Sequence, residues 1–277
     1  EPLPPSPPSP PSPSSSPPPA SVVADSAPEP DRVAPAAAPR DDAPFLSARA
    51  GLGVGMRHFS YVDRVTPTLR PYDLGAAPMA TVTGAVYPLA FTRTPVVRDL
   101  GVVGGYGQAF ALASEDSYGN RVGTTWQSWD AGVTERIPLG RSLQANVSAG
   151  YGVDAFQFTQ SLAGSAAALP SVTYRFLRLG ADVRYRFLSA FSVLGGGSYL
   201  DVLGSGYTDA LFPRESVGGV EGHVGATYSL ARSWEISVSA AYTRMFYSFN
   251  PLPGDASVAG GALDEQTRIL AGVSYAM

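Results

Sequence analysis

The chain holds two histidines, and each has neighbours that could assist chemistry. His58 stands two residues before Ser60, with Asp63 the nearest acid, a set that could activate a hydroxyl for acyl transfer. His223 stands two residues after Glu221, which puts both side chains on one side of an extended strand. That couple could act as a general base, but its simpler assignment is a hydrogen-bonded histidine on a polar face. No cysteine is present, so thiolate nucleophiles, thiolate metal sites and disulfides are excluded. No HExxH, phosphate loop or dinucleotide fingerprint occurs, so no cofactor and no metal site are expected. The larger chemical resource is a set of opposed charges. Arg49, Arg57, Arg178, Arg184, Arg186 and Arg268 are matched by Asp130, Asp154, Asp182, Glu221 and Glu235, with His223 among them.

Nearly all of these groups lie on segments that alternate with period two. In Ser142 to Ala155, Leu143, Ala145, Val147, Ala149, Tyr151, Val153 and Ala155 form an apolar face. Gln144, Asn146, Ser148, Gly150, Gly152 and Asp154 form the other, because strand side chains alternate sides. The same pattern recurs from Leu46 to Arg57, Leu177 to Phe187, Val220 to Leu230 and Trp234 to Thr243. The charged residues fall on the polar face each time. These strands are too long for an ordinary soluble sheet, and five agreeing segments exceed chance alternation.

Punctuation between the strands sets their order. Short connections near Phe91–Pro95, Pro138–Arg141, Leu188–Ala190 and Ala231–Ser233 alternate with longer stretches at Asp63–Asp73, Ser114–Val122, Gln160–Ser171, Ser205–Ser216 and Asn250–Asp264. The expected strands are 45–62, 74–90, 97–113, 123–137, 142–159, 172–187, 191–204, 217–230, 234–249 and 265–277. Tyr87, Phe91, Tyr185, Phe187, Phe191, Tyr228, Trp234 and Tyr275 gather at the short-turn ends. Phe59, Tyr61, Trp126, Trp129, Phe156, Phe158, Tyr174, Phe246 and Phe249 gather towards the long-loop ends. Two aromatic girdles at membrane interfaces are therefore expected, with Tyr87, Trp126, Trp129, Tyr185, Phe187, Tyr228, Trp234 and Tyr275 as their interface residues.

The first 44 residues have a different character. Sixteen of the 26 prolines lie between Pro2 and Pro44, and the chain opens EPLPPSPPSPPSPSSSPPPA. Such a stretch has little apolar mass to offset its ordering entropy, and proline favours extended polyproline II. Residues 1–44 are expected to be a disordered tail with a reach of about 130 Å at ~3.1 Å per residue. No run of about twenty apolar residues exists, so no transmembrane helix is expected. A secretion signal is expected to have been removed, since no charged-then-apolar leader opens the chain. A net charge of −4 makes no case for nucleic-acid binding. All 19 basic residues are arginine, which points first to GC-rich coding and second to forked donors that suit lipid phosphates and interior ion pairs.

The last strand, QTRILAGVSYAM, places Ile269, Ala271, Val273, Tyr275 and Met277 on one face. It resembles the C-terminal signal of bacterial integral outer-membrane β-barrel proteins, with Met277 where phenylalanine is usual. The resemblance covers 45–277 as architecture. It implies an all-β, closed antiparallel transmembrane barrel of about ten strands with short periplasmic turns and long extracellular loops. It also implies secretion across the inner membrane of a Gram-negative bacterium and insertion into outer-membrane lipid. An even strand count would leave the tail in the periplasm. The His58–Ser60 pair is similar to that of outer-membrane lipid A deacylases, although those are smaller barrels with the pair near the C-terminus. Likeness to the ten-stranded omptin proteases rests on strand number alone, since the one Asp-Asp dipeptide, Asp41–Asp42, lies in the tail. Parity does not say which face is inside, so a soluble lipocalin-like barrel stays open. The glycines and serines of the polar face favour the membrane.

Ten strands tilted by ~40° enclose a backbone cylinder roughly 20 Å across. Mixed charges in so narrow a space are expected to pair into a mostly filled lumen or leave a very narrow pore. Two non-catalytic functions follow as expectations. In one, the barrel is an anchor or scaffold subunit of an envelope assembly, and the tail engages a periplasmic protein or peptidoglycan. In the other, it is a small passive channel and the tail is a spacer.

Overall fold

The computed structural model describes residues 44–92, 94–115, 121–159 and 171–277. The expected tail, up to residue 43, lies outside the described residues, as do parts of two expected loops, 116–120 and 160–170.

The described chain is a closed antiparallel barrel with ten wall positions. β1 (Leu46–Val62), β2 (Tyr72–Val86), β3 (Leu100–Ala109), β5 (Arg121–Pro138), β6 (Leu143–Thr159), β7 (Val172–Arg186), β8 (Phe191–Gly204), β9 (Ser216–Ala231), β10 (Trp234–Ser248) and β11 (Gly261–Ala276) follow one another around it. The three-residue β4 (Ala113–Glu115) prolongs the β3 position along β5. Closure comes from β1 pairing with β11, from Ser47↔Ala276 to Val62↔Gly261. Each of the ten wall positions thereby has a hydrogen-bonded strand on both sides, which is the condition for crossing lipid without a helix.

The expected strands are present, with one region displaced. β2 ends at Val86 and β3 begins at Leu100, so the expected short connection at 91–95 runs from Tyr87 to Asp99. Proline explains this. Pro88 has no amide for a ladder, the chain turns at Tyr87–Ala90 and Leu89–Thr92, and Pro95 opens the short helix α1 (Pro95–Arg98). β3 breaks beyond Ala109 because Ala111 takes a left-handed φ of 55°. The gap holds a bulge, since 109–113 on one strand spans what 123–126 spans on the other.

Tertiary structure settles the question parity leaves open. The apolar face points outward: Leu52 is 66% exposed and Leu179 and Val224 are each 62% exposed. The polar face lines the interior. From the Trp234–Tyr275 row to Tyr242 the outward apolar belt spans nine residues of β10, about 20 Å of height at a ~40° tilt. That compares with the roughly 25 Å apolar band of bacterial barrels. A soluble barrel would present the opposite face.

Candidate functional site

The interior is densest in the half nearer the long loops. There, side chains from six of the ten wall positions meet. Arg57 of β1 makes a bidentate pair with Asp264 of β11, Nε and Nη2 each donating at 2.8 Å, and both side chains are fully buried. Tyr174 of β7 donates its hydroxyl to Asp264 at 2.6 Å, and Tyr247 of β10 donates to Tyr174 at 2.6 Å. The Arg57 guanidinium lies 4.2 Å from the centre of the Phe156 ring of β6. Arg268 of β11 pairs with Asp154 of β6, and these strands stand five positions apart around a ring of ten. That one ion pair therefore spans the lumen. Trp126 of β5 donates its indole N–H to the other oxygen of Asp154 at 2.9 Å.

Space for this knot comes from missing side chains on the wall. A Cβ at Gly55 would stand 2.6 Å from the Trp126 ring, and one at Gly219 would stand 2.3 Å from Met245 Sδ. Phe59, Met79, Leu200 and Phe249, all at most 1% exposed, fill the remaining volume. Buried charge is tolerated here because each carboxylate receives several donors.

Towards the short-turn end the lining is polar and half-buried, and the charges pair between nearby strands. Arg178 pairs with Glu221 and donates to Ser198 at 3.0 Å. Arg184 pairs with Glu235 at 2.7 Å, and His223 Nε2 lies 2.6 Å from Asp182. Arg49 donates to Ser239 at 3.1 Å. Asp130 lies flat against Gly105, where a Cβ would come within 2.8 Å of its carboxylate oxygen. Arg186 sits at the exposed end of β7. His223 thus works with Asp182 across one intervening strand, and Glu221 serves Arg178.

The expected girdles are redistributed. Trp129, Tyr185, Phe187, Tyr228 and Trp234 are exposed on the outside, and Tyr275 lies under Trp234 with ring centres 5.0 Å apart. Trp126 and Tyr87 correct the expectation: they are 1% and 7% exposed. Trp126 shares parity with Asp130 and so faces the lumen, as do Phe59, Phe156, Phe158, Tyr174 and Phe249. Position along the strand was right for these rings; side was not. Tyr87 sits in the short-turn mouth, 3.5 Å from the Arg136 guanidinium.

His58 and Ser60 face outward near the long-loop rim. His58 Nδ1 is hydrogen-bonded to the carboxylate of Asp73, its register partner on β2, and both are exposed. Asp63 lies instead in the turn after β1, at a φ of 48°. Among the described residues no hydrogen bond joins Ser60 to His58, so the set lacks the nucleophile–base contact that acyl transfer requires.

Sequence reasoning missed Asp264, the acceptor at the centre of the knot, because the last strand was expected from residue 265 whereas β11 begins at Gly261. Its parity with Gln266 and Arg268 marks it as inward. It also missed Arg136, which donates to the Pro44 carbonyl at 3.0 Å and lies 3.5 Å from Asp99 at the short-turn mouth.

No protein-family description matches this chain, and no curated protein matches it. Solved structures do match. The outer membrane protease OmpT from Escherichia coli is similar at a TM-score of 0.51 and 11% identity, over 84% of this chain and 96% of that one. Neisserial surface protein A has a TM-score of 0.35 at 10% identity, over 85% and 99% of the two chains. Ail of Yersinia pestis has a TM-score of 0.33 at 10% identity, over 83% and 98%. These structural neighbours are bacterial outer-membrane β-barrel proteins, and the likeness is one of fold.

Proposed function

We propose that this chain is a Gram-negative outer-membrane barrel with a filled lumen that anchors a cell-envelope assembly through its proline-rich N-terminal segment. The observation that carries the reading is the knot of Arg57, Asp154, Tyr174, Tyr247, Asp264 and Arg268, which links opposite walls. A conduit has no use for an ion pair across its diameter; a rigid anchor does. The function is non-catalytic, and the outer girdle and apolar belt serve to hold the barrel in lipid.

In this reading the short-turn end faces the periplasm and residues 1–44 are the working end, binding a periplasmic protein, another envelope subunit or peptidoglycan. Proline-rich segments suit that task because little conformational freedom is lost on docking. Support for the attachment comes from the clasp at its root. Pro44 is held by Arg136, Tyr87 N–H donates to the Phe45 carbonyl at 2.7 Å, and Leu46 and Met277 exchange backbone hydrogen bonds at 3.2 and 3.0 Å.

Two measurements test the proposal. Planar-bilayer recording of the full chain should show no sustained openings; steady ion-selective conductance would favour the channel instead. Deleting residues 1–43 should leave the barrel inserted but abolish co-sedimentation with peptidoglycan or co-purification of periplasmic proteins. Equal capture by the truncated protein would overturn the role of the tail.

A further inference from the structure

The connection from β8 to β9, Ser205 to Glu215, carries the short helix α2 (Tyr207–Leu211) and reaches at the long-loop end as far as Tyr61 of β1, whose ring centre lies 6.4 Å from that of Phe212. Phe212, just after α2, is 3% exposed; its ring stacks on Phe249 with centres 3.7 Å apart and planes 7° apart. Arg214 ties the segment to the next loop, donating to the Asn250 carbonyl at 3.1 Å and pairing with Asp255. Both ends of the connection meet at one point. The hydroxyl of the fully buried Ser205 lies 3.0 Å from Asp209 and is also hydrogen-bonded to the Glu215 carboxyl.

A count of protons shows what this requires. One hydroxyl has one hydrogen, yet two carboxyl groups approach the same oxygen. Asp209 already accepts the backbone N–H of Ser205, at 3.3 Å to each oxygen, and that of Gly206 at 3.2 Å. It is the anion. Among the described residues the Glu215 side chain meets Ser205 and Asp209 alone, and its second oxygen is buried without a partner. Glu215 must therefore bring the missing proton.

Electrostatics agrees with the geometry. Burial, then the hydrogen bond with Asp209, pushes the Glu215 carboxyl up to about 8. Partial burial works against the Asp209 anion, but hydrogen bonds from Glu215, Ser205 and Gly206 outweigh it and hold that carboxyl below its usual range. The other titratable groups that Glu215 acts on are Tyr61 of β1 and Tyr247 of β10. Among the cations, Arg214 is engaged by Asp255 and Arg57 by Asp264.

We propose that Ser205–Glu215 is a proton-held lid: protonated Glu215 pins α2 over the mouth of the barrel, and loss of that proton releases it. The closed lid holds the proton more tightly than the open one. Closure is therefore fully favoured below the ordinary carboxylate range, weakens as pH rises from there to about 8, and changes no further above it.

The chain has no cysteine, so Ala210→Cys on the exposed side of α2 accepts a single spin label in the full protein in lipid vesicles. The label should be immobilised near pH 5, grow mobile towards about pH 8, and level off there. With Glu215→Gln it should stay immobilised throughout, because the amide donates where the acid did. Asp209→Asn provides a second variant: its amide can donate to ionised Glu215, so the pH response should shrink severalfold. A flat profile in the parent, or an unchanged profile in either variant, would overturn the proposal.

Discussion

Replacing Asp264 by asparagine removes one charge from the centre of the lumen while keeping shape. The carboxylate accepts two hydrogen bonds from Arg57 at 2.8 Å and one from Tyr174 at 2.6 Å. Both partners of the ion pair are fully buried, so water cannot take over the role of Asp264. Breaking a buried pair from one side costs about 3–5 kcal/mol, because the remaining ion keeps its desolvation penalty. Asp264→Asn should lose that amount in urea titration of the barrel in lipid vesicles, followed by tryptophan fluorescence and linear extrapolation. The double variant Arg57→Met, Asp264→Leu removes both charges and should recover most of the loss, since apolar replacement of a buried pair is often neutral or stabilising by about 1–4 kcal/mol. A loss under about 1 kcal/mol for Asp264→Asn would mean that water reaches the pair and that the knot does not seal the lumen. A double variant as unstable as the single one would refute the desolvation account.

Four further outcomes follow from the placement of side chains. Trp126 should be shielded from lipids brominated in their acyl chains, whereas Trp129 and Trp234, 44% and 48% exposed on the outside, should be quenched; equal quenching of all three would refute the inward placement. Gly55→Ala should cost about 1–3 kcal/mol, because the new methyl would stand 2.6 Å from the Trp126 ring. Gly222→Ala, with nothing among the described residues within 4 Å, should change urea stability by under about 0.5 kcal/mol. Val238→Arg, in the middle of the outward belt, should cost about 2–4 kcal/mol in vesicles, and a neutral result would deny that this face meets lipid.

Most of the wall was legible in the sequence because a strand has a period of two and a half-buried sheet must obey it. Runs such as Leu143 to Thr159 and Trp234 to Ser248 were placed within a few residues. The bounds between β2 and β3 were placed less closely, β2 ending four residues before and β3 beginning three residues after the expected positions, since Pro88 and Pro95 end the hydrogen-bond ladder there. Pairings within the lumen were legible only as a set. Arg268 lies on the polar face, but no local spacing says that it meets Asp154, 114 residues away. The same holds for His58, whose acid is Asp73 across a turn rather than Asp63 along the chain.

By itself, the sequence determined that long strands of fixed parity are joined by turns and loops in alternation, and which residues share a face. Chain-local stereochemistry is enough for that. Only the tertiary structure decided which face is the outside, because curling the sheet one way or the other leaves the local pattern unchanged. It also decided that the rings near the long loops divide, Trp129 and Phe246 going outward and Trp126, Phe156 and Tyr174 inward. Closure brings β6 opposite β11 and turns the charges on the polar face into a cross-braced interior, where desolvation compels each charge to find a partner.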